Sequence, residues 1–301
     1  MLYFFSFWCK QCAWSLCFIF LFFIKPGYGQ NYTVGRHALG KLHDGKLQEL
    51  SGIKQSILHS NMFWVHNDSG DSSRIFLIDN KAQLKGEYTL SGVDAKDMED
   101  IAIFQRDGKS FVVLGDIGDN RAVRSEIMLY VFAEPEWIDG QTSYTIPQQA
   151  IQTIRLKYAD KPRDAEAIFV DPLDGRAYLI AKRDFHVGVY PVDLHAKKAG
   201  NVQLLKQLVQ LPLTFITAAD ISFDGRFLLL KNLTGVFLWE RQNDESIRQL
   251  FTRAYIQLPY APEAQGEAIC FGTENSIFYT ISERPFGLDS YLYRYNIDPI
   301  N

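Results

Sequence analysis

Five short segments of the sequence share one pattern, in which polar or acidic residues lead directly into an apolar strand. They are ELSGI (49–53), DMEDI (97–101), DAEAI (164–168), TAADI (217–221) and QGEAI (265–269). Their spacing of about fifty residues is typical of the blades of a β-propeller. This repeat constrains the fold more than any single motif, because every copy must form the same structural unit.

Each segment is followed by two further apolar runs, such as MFWVHND and RIFLID in the first repeat. A weaker fourth run can be drawn in four repeats, as LKGEYTL, AIQTIRLKY, VQLLKQLVQL and IRQLFTRAYIQL. Alternating apolar residues and turns such as LDGR and FDGR indicate strands and hairpins. An ordinary β-sandwich would not explain five copies of one three-strand unit. We therefore predict an all-β fold consisting of a single β-propeller.

Ring closure and blade number follow from the same pattern. The last repeat has only three strands, and the N-terminal run NYTVGRHALGKL (31–42) is predicted to supply the fourth. Closing the ring in this way removes exposed sheet edges. Five blades can be counted, and a sixth would exist only if the longer inserts at 133–163 or 191–216 contain one.

Residues 1–29 have the pattern of a secretory signal peptide. Lys10 lies in the n-region, AWSLCFIFLFFI forms the apolar region, and small residues in GYG precede Gln30. The apolar region is shorter than the roughly 20 residues that span a bilayer, so cleavage is favoured over a retained membrane anchor. We expect a secreted or periplasmic protein with a propeller domain over residues 30–301 and no membrane span after cleavage.

The formal net charge of −4 and the lack of a basic run bear on the partners of the protein. They argue against binding to nucleic acid or to an anionic membrane. We expect a monomer that binds a small anionic ligand or an envelope or extracellular partner.

Propeller topology would bring the five leading segments, and the loops between second and third strands, to one mouth of the channel. Two positions before the isoleucine of each segment stand Ser51, Glu99, Glu166, Ala219 and Glu267. Two like charges about 4 Å apart repel by on the order of 4 kcal/mol at an effective dielectric constant near 20. Several carboxylates at one mouth must therefore be neutralised by protonation, by lysines and arginines opposite them, or by a bound cation.

Carboxylates without paired histidines or cysteines are typical of calcium or magnesium sites, and Ca²⁺ is the predicted cofactor. The glycines of the loops NDSGD and GDIGDN permit tight turns. The predicted metal ligands are Glu99, Asp100, Glu166, Glu267, Asp116, Asp119, Asp68 and Asp71. The alternative is that these carboxylates cap strand-leading loops and pair with Arg163, Arg183 and Lys182.

The segments FWVHNDSGD, DMEDIAI, VLGDIGDN, RDAEAIFVD, AADISFDGR and GEAICF resemble those of exported, mostly uncharacterised bacterial propeller proteins. These proteins are similar in pattern to phytase-like and lactonase-like calcium propellers. The resemblance covers nearly the whole mature chain. It implies calcium ligation by Glu99, Glu166 and Glu267, and anion binding by Lys182, Arg183 and Lys231. The chain is shorter than a phytase and has fewer countable blades.

Two functions remain open. The first is a non-enzymatic binding module with a structural ion at its mouth. The second is a calcium-dependent hydrolase of a phosphate ester or lactone, with candidate catalytic residues His66, Lys182 and Arg183 and substrate-binding residues Lys182, Arg183, Lys231 and Glu283. His66 could act as a general base near a metal-bound water, or it could be a strand-end histidine hydrogen-bonded to a neighbouring blade. Binding is favoured because no nucleophile or general base stands out.

Overall fold

The computed structural model describes residues 32–195 and 201–299. The predicted signal peptide, residues 1–29, lies outside this range and stays a prediction. In the described part of the chain, none of the helices has the length and apolar character that crossing a membrane requires.

The described chain is almost entirely β-strand, with one short helix and two 3-10 turns at Gln148–Ala150 and Pro285–Gly287. In chain order the elements are β1 (Tyr32–Lys41), β2 (Leu50–Gln55), β3 (Met62–Asn67), β4 (Arg74–Asp79), β5 (Leu84–Leu90), β6 (Met98–Arg106), β7 (Lys109–Asp116), β8 (Ile127–Ala133), β9 (Ser143–Ile146), β10 (Gln152–Tyr158), β11 (Ala165–Val170), β12 (Arg176–Ala181), β13 (Val187–Asp193), β14 (Val202–Leu205), β15 (Val209–Leu211), β16 (Ile216–Ile221), β17 (Phe227–Asn232), β18 (Val236–Glu240), α1 (Ile247–Leu250), β19 (Ile256–Leu258), β20 (Ala268–Phe271), β21 (Ile277–Ile281) and β22 (Tyr291–Pro299).

The strands form five sheets, and each sheet is one blade. From the inside outward, blade 1 is β2-β3-β4-β5-β9, blade 2 is β6-β7-β8-β10-β14, blade 3 is β11-β12-β13-β15, blade 4 is β16-β17-β18-β19 and blade 5 is β20-β21-β22-β1. Each inner strand contacts the inner strand of the next blade, and β20 contacts β2, so the ring is closed. The five-bladed propeller predicted from the repeat is confirmed.

The N-terminal strand closes the ring as predicted. β1 pairs antiparallel with β22, from Tyr32 opposite Pro299 to Lys41 opposite Tyr291. Blade 5 therefore contains strands from both ends of the described chain.

The long inserts add outer strands to existing blades, so the described residues contain no sixth blade. β9 pairs in parallel with β5, and β14 pairs in parallel with β10. The run VQLLKQLVQL was predicted as one strand but divides between two blades, because β14 joins blade 2 while β15 completes blade 3. In IRQLFTRAYIQL, only Ile256–Leu258 is a strand; Ser246 forms a capping box with Gln249 and starts α1 instead.

Apolar side chains pack between adjacent blades. Trp64 and Leu77 of blade 1, for example, share one buried cluster with Ile101 and Leu114 of blade 2. Burial of this apolar surface fixes the blades against one another, and it holds the inner strands and their leading loops in a ring.

Four inner strands contain a β-bulge at the same level, where the register shifts across Leu50/Gly52, Met98/Asp100, Ala165/Ala167 and Ile216/Ala218. The bulged residues are Ser51, Glu99, Glu166 and Thr217. In blade 4 the residue that corresponds to Glu99 is therefore Thr217, so the predicted correspondence of Ala219 with Glu99 was wrong by two residues.

The corrected alignment brings Asp220, three residues after the bulge of blade 4, to the same level as Lys54, three residues after the bulge of blade 1. These two side chains form a buried ion pair with an Nζ–Oδ1 distance of 2.5 Å.

Candidate functional site

Carboxylates from four blades meet at one mouth of the channel. Their oxygens form three groups, and within each group one oxygen from every residue lies within 4.8 Å of the others. The groups are Asp68, Asp97 and Glu99; Asp68, Glu267 and Glu283; and Glu99, Asp164 and Glu166. Asp68 and Glu99 each belong to two groups, so the seven side chains form one continuous cluster, which we call the acidic mouth.

Bulges and short loops position these carboxylates. Glu99 and Glu166 are the bulged residues of their inner strands, and bulges redirect side chains relative to a regular strand. Asp68 and Glu283 follow second strands of their blades. Their backbone amides donate to leading segments, Asp68 N to Glu49 O at 2.7 Å and Glu283 N to Gln265 O at 3.1 Å.

Gly118, in the loop GDIGDN, leaves room for the acidic mouth. A Cβ atom at this position would overlap Oε1 of Glu99 and Oδ2 of Asp97. The amides of Ile117 and Gly118 donate to the carbonyl oxygen of Asp97 at 3.1 and 3.2 Å, which fixes the loop in this place. The loop therefore borders the acidic mouth closely, and only a residue without a side chain fits at position 118.

Lys182 neutralises one side of the acidic mouth. Its ammonium forms an ion pair with Glu166, and Nζ lies 3.9 Å from Oε1 of Glu267. Throughout residues 32–195 and 201–299, no lysine or arginine forms an ion pair with the first group, Asp68, Asp97 and Glu99. The positive charge is therefore concentrated on the opposite side of the cluster.

Burial and mutual repulsion raise the pKa values of these carboxylates. Burial is the largest cause in each case: it raises the pKa of Asp97 to about 6, with repulsion from Asp68, and that of Glu283 to about 7, with repulsion from Glu267. The pKa of Glu166 is raised to about 8, and that of Glu99 lies well above its usual range. Such shifts mean that the cluster holds protons when no cation compensates its charge.

Asp116 and Asp119, two predicted ligands, lie outside the three carboxylate groups. Asp116 forms an ion pair with Arg124 at 2.8 Å and accepts the amide of Asp97 at 3.0 Å. Asp119 accepts the amide of Arg124 at 2.7 Å, and its own amide donates to Asp164. Both carboxylates hold loops in place, as in the loop-capping alternative.

Asp71 and Asp100 are also outside these groups. Oδ1 of Asp71 lies 2.7 Å from Nη2 of Arg74. Asp100 is buried in the channel wall and accepts the amides of Ile101 and Ile168, each at 2.8 Å. Asp100 thus links the inner strands of blades 2 and 3.

Like Lys182, the other two predicted anion-binding groups are bound to protein atoms. Nε of Arg183 lies 2.6 Å from Oδ2 of Asp164. Lys231 is fully buried and donates to the carbonyl oxygens of Gly266 and Asn232. Burial lowers the pKa of Lys231 to about 8.

His66 is fully buried, and its hydrogen bond is to its own blade. Its Nδ1 lies 2.9 Å from the carbonyl oxygen of Asn67, and its ring occupies the space left by Gly52. Burial lowers the pKa of His66 to about 4, so the imidazole is neutral near pH 7. It belongs to none of the three groups of candidate metal ligands.

Asp97 and Asp164 belong to the acidic mouth but were not predicted as ligands. Both stand four residues before the isoleucine of their leading segments. That shared position was the available signal. The role of Gly118 depends on the distance between two loops, which no spacing in the sequence gives.

No protein-family model matches the sequence, and no curated protein matches it. Among solved structures, the chain is similar to the PQQ-bound aldose sugar dehydrogenase from Streptomyces coelicolor. The sequence identity is 9% and the TM-score 0.45, over 88% of this chain and 99% of that chain. A similarity at this level says nothing about the chemistry of the acidic mouth.

Proposed function

We propose that the protein is a calcium-dependent binding propeller that acts in the periplasm or outside the cell. In this proposal Asp68, Asp97 and Glu99 hold Ca²⁺, and a ligand or partner binds over the same mouth. The main support is the first carboxylate group itself. It has no ion pair among the described residues, and Oδ1 of Asp97 is buried without a hydrogen-bond partner there.

The donor atoms fit calcium. Ca²⁺ takes six to eight oxygen ligands at about 2.4 Å in irregular geometry, whereas Mg²⁺ demands a near-ideal octahedron at shorter distances. Oxygens that share one Ca²⁺ lie within about twice the ligand distance of one another, as the 4.8 Å limit of the first group allows. Bound Ca²⁺ would supply positive charge and coordination positions for oxygen atoms of a ligand.

Binding is better supported than hydrolysis. A general base must lie within hydrogen-bond reach of the proton that it removes, and His66 is fully buried. Lys182 and Arg183, the other catalytic candidates, form ion pairs with carboxylates of the mouth. A hydrolase of phosphate esters or lactones therefore stays the second candidate.

Thermal unfolding of the purified protein tests the proposal. At a Ca²⁺ concentration a hundred times Kd, binding to the folded state adds about 2.7 kcal/mol. This raises Tm by several degrees for a domain of this size. We expect a rise in Ca²⁺ relative to EDTA, and a smaller one in Mg²⁺.

Two aspartate variants from one leading loop make the test specific. Asp97→Asn should remove the calcium-dependent rise in Tm. Asp94→Asn is the matched control, because Asp94 is an exposed carboxylate outside the three groups and should leave the rise unchanged. The proposal would be wrong if calcium did not raise the Tm of the wild-type protein, or if it raised the Tm of Asp97→Asn by the same amount.

A further inference from the structure

Three phenylalanine side chains are exposed on loops around the acidic mouth. The exposed fraction is 93% for Phe185 and 50% for Phe215, and Phe286 is fully exposed. They lie after β12, before β16 and in the 3-10 turn after β21. We call these three side chains the aromatic rim. Clusters of exposed apolar side chains rimmed by polar groups mark interaction sites.

The backbone at two of these residues is unusual for an aromatic side chain. Phe215 has φ 54° and Phe286 has φ 56°, in the left-handed region that bulky residues rarely adopt and glycine adopts readily. Packing does not compensate for this conformation at Phe286, whose ring is fully exposed, and Phe215 is half exposed. Strained residues of this kind cluster at functional sites.

Hydrogen bonds connect the aromatic rim to the acidic mouth. The amide of Phe215 donates to the carbonyl oxygen of Lys182 at 2.7 Å, and Phe185 lies three residues after Lys182. Phe286 lies three residues after Glu283, whose amide donates to Gln265, two residues before Glu267. The loops that position the carboxylates thus also carry the exposed rings.

The acidic mouth retains excess negative charge beside the proposed calcium ligands. When all seven carboxylates are deprotonated, their charge of −7 exceeds the +4 of Lys182, Arg183 and one Ca²⁺. The protons that the mouth holds without a cation leave when a positively charged group binds there. Glu267 and Glu283 contribute to this excess on the side nearest Phe286. Glu283 forms no ion pair in the described part of the chain.

We propose that this face binds a basic peptide segment of a partner protein. A lysine or arginine side chain of the partner enters between Glu267 and Glu283, and neighbouring apolar side chains of the segment pack on the aromatic rim. Aromatic side chains dominate the binding energy of many interfaces, and charge complementarity selects the partner. The aliphatic stem and charged end of lysine or arginine suit this combination of rings and carboxylates.

A basic peptide segment would be the partner in the proposed binding function, and the proposal depends on that function only for the choice of this face of the propeller.

The first test measures binding of a dye-labelled hexapeptide of alternating lysine and phenylalanine to the full protein by fluorescence anisotropy. We expect binding that weakens as salt screens the charges. A lysine–serine hexapeptide should bind about tenfold more weakly, and a glutamate–phenylalanine hexapeptide should not bind.

Variants locate the peptide on this face. Phe286→Ser and Glu283→Gln should each weaken binding of the lysine–phenylalanine peptide about tenfold. Phe286→Ser should leave Tm unchanged because the ring is exposed. The matched control is Ile138→Ser, which removes a 60% exposed apolar side chain beyond the end of β8 that lies away from the mouth.

The calcium and peptide proposals fail separately. Asp97→Asn should lose the calcium effect and still bind the peptide. The inference is wrong if the lysine–phenylalanine peptide does not bind the wild-type protein, if the acidic peptide binds equally well, or if Phe286→Ser and Glu283→Gln bind like the wild type. A missing calcium effect with intact peptide binding would reject the calcium site alone.

Discussion

Lys182 forms an ion pair with Glu166 across the first hairpin of blade 3, and the exposed fractions of the two side chains are 13% and 3%. Removing one partner of a buried ion pair leaves the other uncompensated and costs about 3–5 kcal/mol. We predict that Lys182→Met lowers the free energy of unfolding by up to this amount in EDTA. Urea denaturation measures the loss.

The same variant should gain calcium binding. Without the ammonium, the group of Glu99, Asp164 and Glu166 becomes available to a second Ca²⁺. Calorimetric titration should then show a higher stoichiometry than in the wild type, and calcium should restore part of the lost stability. The control is Lys161→Met, at an exposed lysine of a neighbouring loop. An unchanged stoichiometry would show that Lys182 does not exclude a cation.

Gly118→Ala should abolish calcium-dependent stabilisation, because the added methyl group would overlap the carboxylates of Glu99 and Asp97. Gly45→Ala is the control: it adds the same methyl group near the mouth, where the nearest side-chain atom is 4.0 Å away. The measurement is the difference in Tm between calcium and EDTA for each variant. A full calcium effect in Gly118→Ala would place the ion elsewhere.

Asp116→Asn separates a structural role from ligation. The buried carboxylate of Asp116 compensates Arg124, so we predict a loss of stability within the range for a broken buried pair, about 3–5 kcal/mol. The rise in Tm caused by calcium should remain, since Asp116 lies outside the three carboxylate groups. Parallel melts of Asp116→Asn and Asp97→Asn in calcium and EDTA check this. Loss of the calcium effect in Asp116→Asn would support the prediction from the sequence that Asp116 is a calcium ligand.

The fold was predictable because the same pattern of a leading segment and following strands occurs five times. The number of copies predicted the number of blades, and an error within one copy did not change that number. The two-residue error in blade 4 arose because a bulge at Thr217 is invisible in the spacing of TAADI. The outer strand β9 was missed and β14 was assigned to the wrong blade, because both pair in parallel with the preceding blade, across long inserts.

The site was only partly predictable for a different reason. Propeller topology correctly brings Glu99, Glu166 and Glu267 to one mouth, but it does not say which aspartates are already bound to arginine. Asp71 and Asp116 each lie within 3 Å of an arginine nitrogen, Arg74 and Arg124. Arg74 begins β4, three residues after Asp71, and Arg124 lies in a loop eight residues after Asp116. Only the folded loop decides whether such a side chain reaches its aspartate.

The pH dependence of stability should report the raised pKa values of the mouth. Asp97, Glu283 and Glu166 have pKa values of about 6, about 7 and about 8, against ordinary values near 4 for unfolded carboxylates. Between about pH 4 and 8 the folded protein therefore binds more protons than the unfolded chain. The stabilisation that these three carboxylates contribute to the free energy of unfolding is present at low pH and is lost as pH rises through their pKa values.

Calcium should reverse this trend, because the ion binds the deprotonated carboxylates and displaces their protons. We predict that Tm in EDTA falls from pH 5.5 to pH 8.5, while the increment produced by calcium grows over the same range. Melts at several pH values, with and without calcium, measure both effects. Asp97→Asn should show no calcium increment at any of these pH values, since the variant lacks one of the three proposed ligands. A calcium increment that is equal at pH 5.5 and pH 8.5 would show that the ion does not bind at these carboxylates.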